Sequence, residues 1–107
     1  MLFVGDTGFS DALFKQLRHA APAPNIVALP MGSYEPRWFM RYVHMGPEDA
    51  WKAFTILGGQ TLIPTHYDVF PLGDEPFGDA LKRLKESAGD HWDSVAALEV
   101  GQSFVSR

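Results

Sequence analysis

The sequence predicts an α/β fold, on three observations. Short apolar runs at residues 2–4, 25–29 and 61–64 have the length and composition of buried strands. Three longer stretches carry apolar residues at helical spacing between start and stop signals. The two kinds of element alternate as β-α-β-loop-α-β-α-β, the order that gives a sheet covered by helices.

The first strand runs straight into Gly5-Asp6-Thr7-Gly8, where Gly8 permits the positive φ of a sharp turn. Ser10 stands as N-cap of a helix over residues 11–21, with Leu13, Phe14, Leu17 and Ala21 on one face and Lys15 and Arg18 off it. Pro22 and Pro24 end that helix, and residues 25–29 form the second strand. Residues 30–45 then hold four aromatics, two arginines and a histidine with a period of neither 2 nor 3.6. They are expected as an irregular binding loop, or as an apolar cap on the core.

Gly46-Pro47-Glu48-Asp49 opens the second helix, since proline suits the first helical position and acids are favoured at the positive end. Ala50, Trp51, Phe54 and Leu57 make its apolar stripe, and Gly58-Gly59 stops it. The third strand follows at residues 61–64, then Thr65-His66-Tyr67-Asp68 and a loop at residues 70–74. A third helix over residues 76–88 is expected to turn Phe77, Leu81 and Leu84 inward and Lys82, Arg83 and Lys85 to solvent, with Gly89 as its stop. Residues 95–100 and 103–105, hinged at Gly101, are expected as a terminal hairpin or one bent strand.

At 107 residues the chain is one domain at most. A net charge of −4 argues against a nucleic-acid partner, whose backbone is held by clustered Lys and Arg. The absence of cysteine fits a reducing compartment, and no signal peptide or apolar run of spanning length is readable. A cytoplasmic protein with no transmembrane segment is therefore expected.

Asp6 follows the carboxyl end of the first strand and His66 that of the third, where ligands gather in open α/β sheets. Aspartate and histidine are both ordinary ligands of zinc. Each also has a structural reading, Asp6 as a turn former and His66 as a satisfied core histidine. His44 is a third candidate, because imidazole serves as ligand or as general acid and base. His19 and His91 read as surface residues. Arg37 and Arg41 can bind an anionic group through their forked donors, or pair with Glu35 or Glu48.

Asp6-Thr7-Gly8 resembles the active-site triplet of retroviral-type aspartic proteases, which work as homodimers. Those enzymes are nearly all β, their aspartate follows a longer N-terminal segment, and Gly5 and Phe9 depart from their flanking pattern.

A broader resemblance covers nearly the whole chain. It rests on Gly5-Asp6-Thr7-Gly8-Phe9, the run from Ala28 to Met40, His44-Met45, Pro47-Glu48-Asp49-Ala50, Ile63-Pro64-Thr65-His66 and the run from Phe70 to Pro76. In order and separation these resemble the C-terminal half of a metallo-β-lactamase-fold hydrolase, of the N-acyl-phosphatidylethanolamine phospholipase D-like branch. The resemblance implies half of an αββα sandwich, one sheet with helices on its outer face, with residues 1–107 as a single C-terminal half-domain. It implies a two-zinc site at one edge, with Asp6 and His66 as metal ligands and Asp6 and His44 as catalytic groups. Tyr34, Arg37, Trp38 and Phe39 are the expected substrate pocket. Thr65-His66-Tyr67 departs from the more usual Ile-His-Trp-Gly.

The implied chemistry is hydrolysis of a phosphodiester or related ester, in a lipid or small molecule. The family's His-x-His-x-Asp-His motif has no counterpart in this sequence. The chain, which opens directly on a strand, is accordingly expected to be a fragment, a truncated product or one subunit of a split enzyme, inactive alone. An uncovered sheet face would favour a homo-oligomer or pairing with the missing half. The alternative is a non-catalytic, self-associating interaction module.

Overall fold

The computed structural model describes residues 1–105. At its centre β1 (Leu2–Phe3), β2 (Ile26–Pro30) and β3 (Thr61–Thr65) form a parallel sheet in the order β1-β2-β3. Around it lie α1 (Asp11–Ala20), α2 (Arg37–Met40), α3 (Pro47–Leu57) and α4 (Asp79–Ala88). Leu2 stands opposite Val27, and Val27 opposite Leu62. Strand side chains alternate, so these residues and Leu29 share one sheet face. That face packs with Phe14 of α1, Ala53, Phe54 and Leu57 of α3, and Ala80 and Leu84 of α4 into one core. Phe3, Ala28 and Ile63, one register on, share the opposite face, where Ala28 is buried and Phe3 is 66% exposed. The result is one sheet with α1, α3 and α4 on one side, as the resemblance implies. A parallel sheet flanked by helices is not the nearly all-β architecture of an aspartic protease, so that reading of Asp6-Thr7-Gly8 falls.

The helix signals act as their chemistry dictates. Ser10 Oγ accepts from the Leu13 amide at 3.3 Å and caps α1. Asp49, in the first turn of α3, reaches back to accept from the Gly46 amide at 3.2 Å. Gly58 ends α3 in the left-handed conformation, φ +68°, which costs glycine nothing.

Four expectations need correction. Residues 30–45 are not wholly irregular: the single-turn α2 forms behind Pro36, whose carbonyl accepts from the Met40 amide at 2.9 Å. On α1 only Phe14 is buried; Leu13 is 43% exposed, because a helix lying on one sheet face needs a narrower stripe. The last helix begins at Asp79, behind Gly78 at φ +86°, which leaves Phe77 exposed rather than inward. Finally, the terminal strand is absent among the described residues. A 3-10 stretch, Gly89–Ser94, leads to one parallel bridge between Val95 and Leu62. Ala96 donates to the Leu62 carbonyl at 2.8 Å, and the chain then leaves the edge of β3.

Candidate metal centre

Asp6 lies just past β1 and His66 just past β3, so the parallel strands deliver both to the same edge of the sheet. His66 Nε2 stands 3.4 Å from Asp6 Oδ1. His44 joins them from the turn after α2: its ring stacks on that of His66, centroids 5.2 Å apart and planes 20° apart. The structure thus brings together the three residues singled out for chemistry, and leaves His19 and His91 on the surface.

Glycine permits the close approaches behind this geometry. A Cβ on Gly8 would lie 2.5 Å from the Arg41 carbonyl oxygen, so the turn after β1 rests directly on the backbone that leads to His44. A Cβ on Gly32 would lie 1.7 Å from the His66 carbonyl oxygen, which only glycine tolerates. His66 itself has φ +60°, uncommon away from glycine although histidine adopts it more readily than most residues.

Asp6 is 64% exposed at its side chain and His66 25%, so an open carboxylate stands against a largely covered imidazole. The Nδ1 atoms of His44 and His66 are buried without a hydrogen-bond partner. Burying an unpartnered polar atom is costly, and a water or an ion is an ordinary way for such an atom to be satisfied. The Asp6 carboxylate and the His66 Nε2 that faces it fit a divalent metal as part of a donor set, with His44 beside them; one ring offers a given ion only one of its two nitrogens. These groups do not complete the set: among the described residues no three His, Cys, Asp or Glu side chains are gathered to hold an ion.

The expected substrate residues divide. Tyr34 is not on a pocket wall but fully buried, its hydroxyl donating to Asp79. Burial, reinforced by that carboxylate, pushes its phenol far above the ordinary value. Arg37 is engaged by Asp49 at 2.5 Å, not by Glu35 or Glu48, and also donates to the His44 carbonyl at 3.3 Å. Trp38 and Phe39 are 74% and 60% exposed. None of the four borders the shallow cavity of about 50 Å³ beside His66, which lies between Ser33, Tyr67, Phe70 and Glu75. Burial, with Asp68 alongside, also raises the Tyr67 phenol. A larger cleft of about 400 Å³ opens at the far ends of the strands near Leu2, Leu17 and Leu57, but no histidine or acid borders it.

Two residues of structural weight were not anticipated. Arg83, expected in solvent, bonds Glu48 at 2.7 Å, lies 3.4 Å from Glu35 and 3.6 Å from Asp79, and covers the Tyr34 ring at 4.8 Å. Burial works against its charge, but the Glu48 bond and the surrounding carboxylates outweigh it, so its pKa is raised. Its i,i+4 spacing from Asp79 was the one available signal. Glu75 accepts from the amides of Ser33, Tyr34 and Glu35 at 2.8, 3.0 and 3.0 Å, with no local pattern to announce it.

Among the described residues no helix is long and apolar enough to cross a membrane. Residues 1–67 match the family described as the beta-lactamase superfamily domain. The chain is 32% identical to N-acyl-phosphatidylethanolamine-hydrolyzing phospholipase D 1 of Caenorhabditis elegans, over 94% of this chain and 30% of that protein. It is 34% identical to a UPF0173 metal-dependent hydrolase of Methanopyrus kandleri, over 94% of this chain and 38% of that one. Among solved structures it resembles Igni18, a metallo hydrolase of Ignicoccus hospitalis, with a TM-score of 0.62 and 27% identity over 94% of this chain and 39% of that chain. The chain therefore spans between 30% and 39% of the length of these three proteins. Parallel sheet, one-sided helices and family match agree: this chain belongs to the β-lactamase superfamily, with the fold of its metallo-hydrolases.

Proposed function

We propose that this chain supplies one edge of a two-zinc hydrolase centre that cleaves a phosphodiester or related ester in a lipid or small molecule. The observation that carries this reading is the 3.4 Å approach of His66 Nε2 to Asp6 Oδ1. Two donors on one tetrahedral zinc at ordinary bond lengths stand about 3.3 Å apart. The relatives support the same class, one by its phospholipase name and another as a metal-dependent hydrolase.

In this reading Asp6 and His66 hold the metal, which supplies Lewis-acid chemistry when bound. His44 lies beside them and exchanges a hydrogen bond or proton with the substrate. Arg37 fixes the His44 backbone through its carbonyl, and Trp38 and Phe39 contribute apolar surface to substrate or partner. Even one catalytic zinc normally takes three protein ligands, so the other ligands come from further polypeptide and the isolated chain is inactive. Residues 1–107 then act as a C-terminal half-domain, in a cytoplasmic setting that suits a cysteine-free chain.

Metal analysis and a bis-(p-nitrophenyl) phosphate assay test this. The chain alone should not turn over, and co-expression with a polypeptide bearing His-x-His-x-Asp-His should restore turnover. Stoichiometric zinc with turnover from the chain alone would contradict it.

A second reading, a non-catalytic self-associating module, is favoured by the exposure of Phe3, Trp38, Phe39 and Tyr42. Both readings expect association. A well-folded monomer in sedimentation at micromolar concentration counts against that shared expectation. Asp6→Ala and His66→Ala then separate the two: full activity of the complemented assembly favours the module.

A further inference from the structure

We infer that Glu75 is a positioning residue for His66, an inference that rests on reading Asp6 and His66 as a metal-facing pair. Glu75 sits on the loop between β3 and α4, and its carboxylate accepts from the consecutive amides of Ser33, Tyr34 and Glu35 at 2.8, 3.0 and 3.0 Å. Successive amides converge on one anion where the backbone curls into a concave nest, and Ser33 supplies the required turn at φ +60°. Amide bonds to an ionised acceptor are among the stronger protein hydrogen bonds.

The clamp is tight on both sides. The Asp74 amide donates to the Glu35 carbonyl at 3.0 Å. A Cβ on Gly73 would meet Ser33 Cα at 2.9 Å. Loop 31–36 and loop 66–75 are thereby stapled together at one point.

That point adjoins the candidate metal centre. Ser33, His66 and Glu75 border the same small cavity. Gly32, immediately before the first clamped amide, lies so close to the His66 carbonyl that it admits no side chain. The last ladder bond between the two strands, Met31 N to Thr65 O at 3.0 Å, lies just behind this contact. Past that bond the two backbones are aligned by Glu75, and the direction in which His66 leaves β3 follows from where Gly32 and Ser33 are held. Glu75 carries out no chemistry of its own here; it sets the imidazole that does.

The test compares wild type, Glu75→Gln and Glu75→Asp in the full chain, by NMR without metal and then with Zn²⁺. Glu75→Gln should lose the Overhauser contact between the His44 and His66 rings, while the Phe9–Phe14 contact in the core persists. Its Zn²⁺ affinity, read at His66, should fall about tenfold or more, the usual effect of removing a residue that orients a ligand. Glu75→Asp keeps the charge with less reach and should fall between the two. A retained His44–His66 contact with wild-type Zn²⁺ affinity in Glu75→Gln overturns the inference. If Glu75→Gln does not fold, Glu75→Asp decides by the same ring contact, whose persistence at wild-type strength overturns it. If wild type binds no Zn²⁺ while the ring contact still depends on Glu75, the metal reading fails and the positioning role stands.

Discussion

His66 presents Nε2 to Oδ1 of Asp6 at 3.4 Å, although the two leave strands separated by all of β2. Parallel strands make this possible, since their carboxyl ends share an edge and any side chains just beyond them share a rim. The pair depends in turn on what holds each loop.

Gly32→Ala should disturb this rim directly. The new methyl would fall on the His66 carbonyl at 1.7 Å, backbone that cannot yield as a flexible side chain would. A loss of about 2 kcal/mol or more is expected in urea denaturation, together with loss of the His44–His66 ring contact in NMR.

Arg83→Met should destabilise the fold without touching the metal-facing pair. It would leave Glu48, Glu35 and Asp79 crowded together with no guanidinium between them. The site is partly solvated, so the expected cost is about 1–2 kcal/mol, or a fall of roughly 5–10 °C in melting temperature. Calorimetry at neutral pH checks this.

Alkaline pH should unfold the protein through Tyr34. Its folded-state pKa is raised, so the folded chain holds the phenolic proton more tightly than the unfolded chain. That contribution is fully present below the ordinary tyrosine pKa, about 10, and is lost as pH rises beyond it. Tyr34→Phe should flatten the fall of stability above that pH, measured by urea denaturation along a pH series.

Leu62→Ala should be close to lethal for folding. Leu62 is fully buried on the sheet face that meets the helices, and the truncation should cost about 2–5 kcal/mol. A small domain has only about 5–15 kcal/mol in total. Loss of a cooperative thermal transition, or a large drop in its midpoint, is the expected result.

Much of this architecture was legible because it is written locally. Ser10, Pro47, Asp49 and Gly58 act as cap and stop through neighbours a few residues away, and apolar runs of strand length became β2 and β3. Asp6 and His66 could be placed at one sheet edge from strand order alone. What escaped was set by distant partners. Glu75 bonds amides some forty positions back, Arg83 gathers carboxylates from three parts of the chain, and Tyr34 is buried because α4 covers it. An aromatic in an irregular segment looks the same whether it faces a substrate or a helix. The terminal strand failed for a similar reason: apolar character at residues 95–100 was real, but among the described residues the bridge to β3 stops at Val95.

The measurement closest to the central claim is a Zn²⁺ titration of wild type, Asp6→Ala and His66→Ala, followed through the imidazole resonances of all four histidines. Saturable changes are expected at His66 in wild type, accompanied by His44; Asp6→Ala should abolish both and His66→Ala should abolish those at His44, while His19 and His91 stay unmoved. Changes of equal strength at His19 or His91, or undiminished Zn²⁺ binding in Asp6→Ala, would contradict it.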